Sequence, residues 1–133
     1  MVTIDMIDKK REAFDLIDKV GDLSQDVVEE YYSALNVEYV NILYKELTGN
    51  ICGDIKNSKE FSESVIQLRK IKRFWGRRLG EVFIAAGKLF DEGHVEDAIE
   101  ILNKFLNECD SPFHVEHVKN QIFCYEKSTK GGL

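Results

Sequence analysis

The chain has 133 residues, 44% of them hydrophobic and 11% aromatic, and carries a formal net charge of −6. That length fits one domain of ordinary size, and that apolar content buries a core without disulfide or metal staples. The acidic balance repels polyanions and favours basic or neutral partners, and no apolar run in the sequence approaches the roughly 18–20 residues that cross a bilayer.

Nearly every segment repeats at helical spacing, and the two-residue alternation of a strand is absent. The predicted fold class is therefore all-α: a single domain over 1–127 of about five helices, with a frayed tail over 128–133. Residues 3–20 set Ile4, Ile7, Phe14 and Ile17 on one stripe, widened by Ala13 and Val20, and Gly21 ends it. Asp22 and Ser24 can cap the next helix, because a short side-chain oxygen accepts from the free N–H groups of a first turn. From about 24 to 48, Val28, Tyr31, Leu35, Tyr39, Ile42 and Leu47 recur through Asn36, which reads as one long helix with a kink allowed there. "TGNICGDIKN", residues 48–57, reads as a loop. Asn57 with Glu60 three residues later has the form of a capping box.

The third predicted helix is long, roughly 58–91. Leu68, Ile71, Trp75, Leu79, Val82, Ala86 and Leu89 recur in it at steps of three and four. Gly76, Gly80 and Gly87 lie inside, each costing about 1 kcal/mol of propensity against Ala, which suggests a close helix approach or a bend. After a turn at Gly93, the fourth helix carries Val95, Ala98, Ile99, Leu102, Phe105 and Leu106. Ser111 can then cap a last helix with Pro112 at its first position, where the missing N–H costs nothing. Val115, Val118, Ile122 and Tyr125 form its face.

With Gly93 placed on a turn glycine, Ala85 and Ala86 fall where the pattern usually has Leu-Gly, Leu89 at a large apolar site, and Ala98 at a helix contact. In this pattern the segment from Leu79 to Pro112 resembles one tetratricopeptide repeat, a helical hairpin of about 34 residues. Val82, Val95 and Phe105 stand where that family prefers Trp, Tyr and Ala, and Pro112 comes two residues late. The resemblance implies helix stacking and a partner-binding role. No second copy of the pattern follows, so the reading is a bundle containing one repeat-like hairpin.

"RKIKRFWGRR", residues 69–78, holds six basic side chains and no acidic one; the rest of the chain holds 12 basic against 24 acidic residues. At 100° per residue Arg69, Lys70, Arg73 and Arg77 share one face, Lys72 and Arg78 flank the apolar stripe, and Phe74 and Trp75 fall on or beside it as core residues. The first reading of the cluster is an internal counter-charge to the acidic helices. A docking face and a nucleic-acid contact are the alternatives, and no recognition motif accompanies the latter.

His114 and His117 are spaced to share a helix face, with Cys109 and Cys124 on either side. No paired cysteines and no His-Glu motif complete a metal site, so the expectation is helix-surface histidines and no metal. The adjacent acidic pairs Glu29–Glu30 and Asp91–Glu92 point about 100° apart and cannot flank one substrate bond. No Ser or Cys sits in a nucleophile elbow, and "GNICG", residues 49–53, is too short for a phosphate loop. No enzyme and no cofactor is expected. Three cysteines make an odd count without framework spacing, and the N-terminus lacks the pattern of a signal peptide, so reduced thiols in a cytoplasm are expected.

The residues selected for partner binding are Tyr32 and Tyr44, at the edges of a tyrosine-rich helix, with Arg69, Arg73 and Arg77. The function predicted is non-catalytic protein binding. Its most concrete form is a small acidic bacterial immunity or antitoxin-like protein that occludes a basic toxin by charge complementarity. The alternatives are an adaptor using the repeat-like hairpin as a peptide-binding surface, and a nucleic-acid-associated regulator using residues 69–78.

Overall fold

Helical periodicity governs the whole chain. The structure, a computed structural model that describes residues 4–131, is all-α. Its helices are α1 (Ile4–Val20), α2 (Gln25–Glu29), α3 (Ala34–Thr48), α4 (Ser58–Asp91), α5 (Val95–Glu108) and α6 (Pro112–Gly131). The described residues hold six helices rather than about five, because the long helix expected over 24–48 is two. Residues 30–33 interrupt it. Ser33 lies in extended backbone and its Oγ accepts from the Asn36 N–H at 3.1 Å, while the Asn36 amide donates to the Tyr31 carbonyl at 2.7 Å. These local side-chain bonds offer the backbone an alternative to the helix ladder, and they end one helix and start the next within four residues.

The expected all-α fold holds, and within it the residues group into two compact units, 1–73 and 74–133; the division falls inside α4. In the first unit α1 packs on α3. Ala13, Ile17, Val20, Val28, Tyr39, Val40, Leu43, Leu47, Phe61, Val65 and Leu68 are buried there. The ends of the predicted stripes are not. Ile4, Ile7 and Leu35 sit in first turns and are 79%, 55% and 52% exposed. Gly49, at φ 76°, closes α3 and its N–H donates to the Lys45 carbonyl at 2.9 Å. This is the left-handed cap that glycine adopts without a Cβ penalty.

In the second unit Ala86, Ala98, Leu102, Phe105, Cys109 and Val118 form the buried cluster, with Trp75, Leu79, Val82 and Leu89 of α4 packed on it. Gly93, at φ 88°, turns the chain between α4 and α5. Phe74 departs from its expected core placement: it is 53% exposed and lies edge-on to Trp75. Gly76 and Gly80 do not mediate a close helix approach, since a Cβ at either would meet nothing within 4 Å. α6 runs through 128–131, where fraying was expected; residues 132–133 lie outside the described residues, as do 1–3, the last of which opens the predicted span of α1.

Two predicted caps form. Asn57 Oδ1 accepts from the Glu60 N–H at 2.8 Å at the start of α4. Ser111 precedes Pro112, accepts weakly from the His114 N–H at 3.4 Å, and its Oγ lies 2.6 Å from His114 Nδ1. A third does not. Ser24 precedes α2 without a side-chain cap bond, and the Asp22 carboxylate is engaged elsewhere.

Candidate functional site

Gly21 follows α1 and is buried. A Cβ there would lie 2.7 Å from Arg69 Cβ and 2.8 Å from Arg69 Cγ. The missing side chain thus lets the Arg69 stem lie flat against the end of α1. The guanidinium then reaches two carboxylates, Asp18 at 2.9 Å and Asp22 at 3.3 Å. Lys72 adds a 2.7 Å bond to Asp18, and Arg73 holds Asp22. Lys72 also lies over the Phe14 ring, 5.6 Å from its centroid. In the second unit Arg78 pairs with Glu108 at 2.9 Å and spans the faces of Phe74 and Trp75. Four of the six basic side chains of residues 69–78 therefore hold carboxylates.

The selected residues are placed as follows. Arg69 and Arg73 are brought together on Asp22. Arg77 is exposed and makes no ion pair with a described residue. Tyr32 is 39% exposed, its ring 5.8 Å from Phe61. Tyr44 is half-buried and lines a cleft beside residues 52–55. Tyr39, read as a buried stripe residue, is buried but also donates its hydroxyl to Glu12. That bond, with burial, pushes its phenol up to about 12.

Arg69 first, and then Arg73, hold the Asp22 carboxyl below its ordinary value of 3.8 by hydrogen bonding, against an opposing push from burial. A group whose pKa is depressed on folding adds stability above its unfolded value and loses it as the pH falls through the folded value. Asp22→Asn should therefore be less stable than the parent at neutral pH, and the gap should close as the pH drops below about 4. Urea melts across that range check this; a gap that stays constant would remove the ion pairs as its cause. In the same melts, changing Arg69 and Arg73 together to Gln should cost about 1–2 kcal/mol, since half-exposed pairs are worth about 0–1 kcal/mol each. Arg77→Gln should change stability by less than about 0.5 kcal/mol.

His114 corrects the surface expectation. It is 2% exposed, beside Ser111 at the start of α6, whereas His117 is exposed and edge-on to Phe113. Among the described residues no group of three or more His, Cys, Asp or Glu side chains is placed to hold a metal ion. Burial pushes the Cys52 and Cys109 thiols up, Cys52 further by Asp54, so neither is poised as a thiolate nucleophile. No described helix is long and apolar enough to cross a membrane.

Sequence reasoning passed over the stretch that balances the basic one. "DEGHVEDAIE", residues 91–100, holds five carboxylates and no Lys or Arg. Asp91, Glu92, Glu96, Asp97 and Glu100 are all exposed, and none makes an ion pair with a described basic side chain. The charge count alone could have located this stretch, which was read as a turn and a helix start, with Asp91–Glu92 weighed only as a catalytic pair.

No family model, no curated protein and no solved structure matches the chain.

Proposed function

We propose that the protein acts without catalysis by binding another protein, most concretely as an acidic immunity or antitoxin-like protein that covers a basic partner. One observation carries the reading. The basic side chains at 69–73 and Arg78 are largely spent on carboxylates of this chain, while the carboxylates at 91–100 are exposed and unpaired among the described residues. A surface of one sign without internal partners attracts the opposite sign and raises the association rate, steeply so at low salt. The same pairing weakens the nucleic-acid reading, because phosphate contacts need free Lys and Arg. The tetratricopeptide-like hairpin remains a second reading. It is favoured by the turn at Gly93 and by the complete burial of Ala98, the small residue assigned to its helix contact, and of Ala86.

The test is capture from the native host at low and high salt, with the purified chain as bait. The expected result is one basic protein, retained at low salt and released at high salt. Asp91→Asn, Glu92→Gln and Glu100→Gln combined should lose it while keeping the parent's melting point. Those three positions are chosen because Glu96 and Asp97 lie in the first turn of α5, where a carboxylate also steadies the helix. Capture unaffected by the triple change would reject the acidic face. Capture of nucleic acid instead would move the assignment to Lys70 and Arg77.

A further inference from the structure

Residues 51–56, between α3 and α4, run without turn or bend. None of their backbone N–H or C=O groups bonds to another described residue. Each non-proline residue carries one donor and one acceptor, so this segment leaves its backbone groups without a partner among the described residues. It is also walled. On one side lies a cleft of about 560 Å³, lined by Val37, Asn41 and Lys45 of α3 and by residues 51–56. On the other lies a cleft of about 350 Å³, lined by Tyr44, Glu60, Glu63, Ser64 and Gln67.

The two clefts differ in sign. The larger holds Lys45 and Lys56 against the single carboxylate of Asp54, and neither lysine makes an ion pair with a described residue. The smaller holds Asp54, Glu60 and Glu63 and no basic side chain. In a chain of net charge −6, two unpaired ammonium groups around one cleft are a local exception. Its apolar lining comes from Val37, Ile51 and Ile55, with Ile51 92% exposed.

We infer that the larger cleft binds an extended peptide segment bearing an acidic side chain. The peptide pairs its backbone with residues 51–56 and sets a carboxylate between Lys45 and Lys56. Backbone pairing supplies affinity, as when a strand adds to an open edge, and the alternate side chains supply selection. One face of the bound strand presents the carboxylate to the lysines and Asn41; the other covers Ile51. The smaller, negative cleft rejects the same carboxylate, which fixes the side on which the peptide lies. The site is separate from the carboxylates at 91–100 and does not depend on the function proposed for them.

Backbone amide NMR of the full chain tests this with three probes: acetyl-Val-Glu-Val-Glu-Val-amide, its glutamine counterpart acetyl-Val-Gln-Val-Gln-Val-amide, and glutarate. The glutamate peptide should give saturable shifts at 51–56 and at Val37, Asn41 and Lys45. The glutamine peptide should bind at least about tenfold more weakly, the loss of one good charged contact. Glutarate should leave the amides of 51–56 unmoved. Lys45→Gln with Lys56→Gln should weaken the glutamate peptide about tenfold with only a slightly lower melting point, since both lysines are exposed and Lys45 only steadies the last turn of α3. Gly53→Pro, which deletes one donor N–H, should weaken both peptides, and Gly53→Ala, where a Cβ meets nothing within 4 Å, should weaken neither. The inference is overturned if no peptide gives saturable shifts at 51–56. It is equally overturned if the two peptides bind alike, or if glutarate reproduces the glutamate-peptide shifts and so identifies a small carboxylate as the occupant.

Discussion

Phe105→Ala is expected to cost about 3–5 kcal/mol, the usual range for deleting a buried ring. Phe105 is 2% exposed at the centre of the second unit's core, and its ring stands edge-on to Trp75 at 5.8 Å. Ala86, Ala98 and Leu102 share the cluster. Two of those three are already alanine and cannot swing in to fill the hole, which places the loss toward the upper end. Aromatic pairs of this geometry add about 0.5–1.5 kcal/mol beyond the area they bury. Urea melts should show a lower midpoint with an unchanged slope, the pattern of lost stability without a changed unfolded state. Phe123→Ala is the control: that ring is 66% exposed, and its loss should fall within about 0.5 kcal/mol. A Phe105→Ala loss no larger than the control's would remove the packing described for this unit.

The sign of Gly21→Ala tests the first unit in the same way. At a site with room and ordinary backbone, Gly→Ala stabilises by about 0.4–1 kcal/mol, because it restricts the unfolded chain. At Gly21 the new Cβ would fall 2.7 Å from Arg69 Cβ and 2.6 Å from the Ile17 carbonyl oxygen. Neither is the loose end of a side chain. Relief requires α4 and the end of α1 to part, which draws Arg69 away from Asp18 and Asp22. Overpacking of this kind costs about 1–3 kcal/mol. Gly53→Ala, where the new atom meets open space, should be neutral or mildly stabilising. If Gly21→Ala were as stable as the parent, the close approach would be absent.

The long-range features of this chain explain which of its parts were legible. α4 could be read almost to the residue, since its apolar positions keep helical steps from Leu68 to Leu89 and Asn57 and Glu60 mark its start. The start of α6 was equally plain from Ser111 and Pro112. Both rest on contacts within four residues. The break at 30–33 was missed because a four-residue interruption preserves the helical phase between Val28 and Leu35, and Ser33 with Asn36 lacks the Glu or Gln that completes a capping box. Burial of His114 left a signal that was undervalued: it stands four residues before the buried Val118, on the same stripe. The internal counter-charge was anticipated as a type of interaction. Its partners were not, because Arg69 lies 51 residues from Asp18 and 47 from Asp22, and charge counts carry no information about pairing at such distances. The same limit hid the role of Gly21, which reads in one dimension as a helix terminator. The backbone at 51–56, without partners among the described residues, was seen only as a loop, since composition marks a turn-rich segment without saying whether its backbone finds partners.

The placement of the aromatic residues gives each unit its own optical signature. The chain's single tryptophan, Trp75, belongs to the second unit and packs on its core, while Tyr31, Tyr32, Tyr39 and Tyr44 belong to the first. Indole emission therefore follows loosening around Phe105. Phenol absorbance in alkali mainly follows the first unit. Four of the five tyrosines lie in the first unit, and the Glu12 hydrogen bond, with burial, pushes Tyr39 up to about 12. Comparing the two signals along one unfolding curve reveals whether the halves of α4 melt together or in sequence. No label has to be introduced, because the sequence already distributes its chromophores by unit.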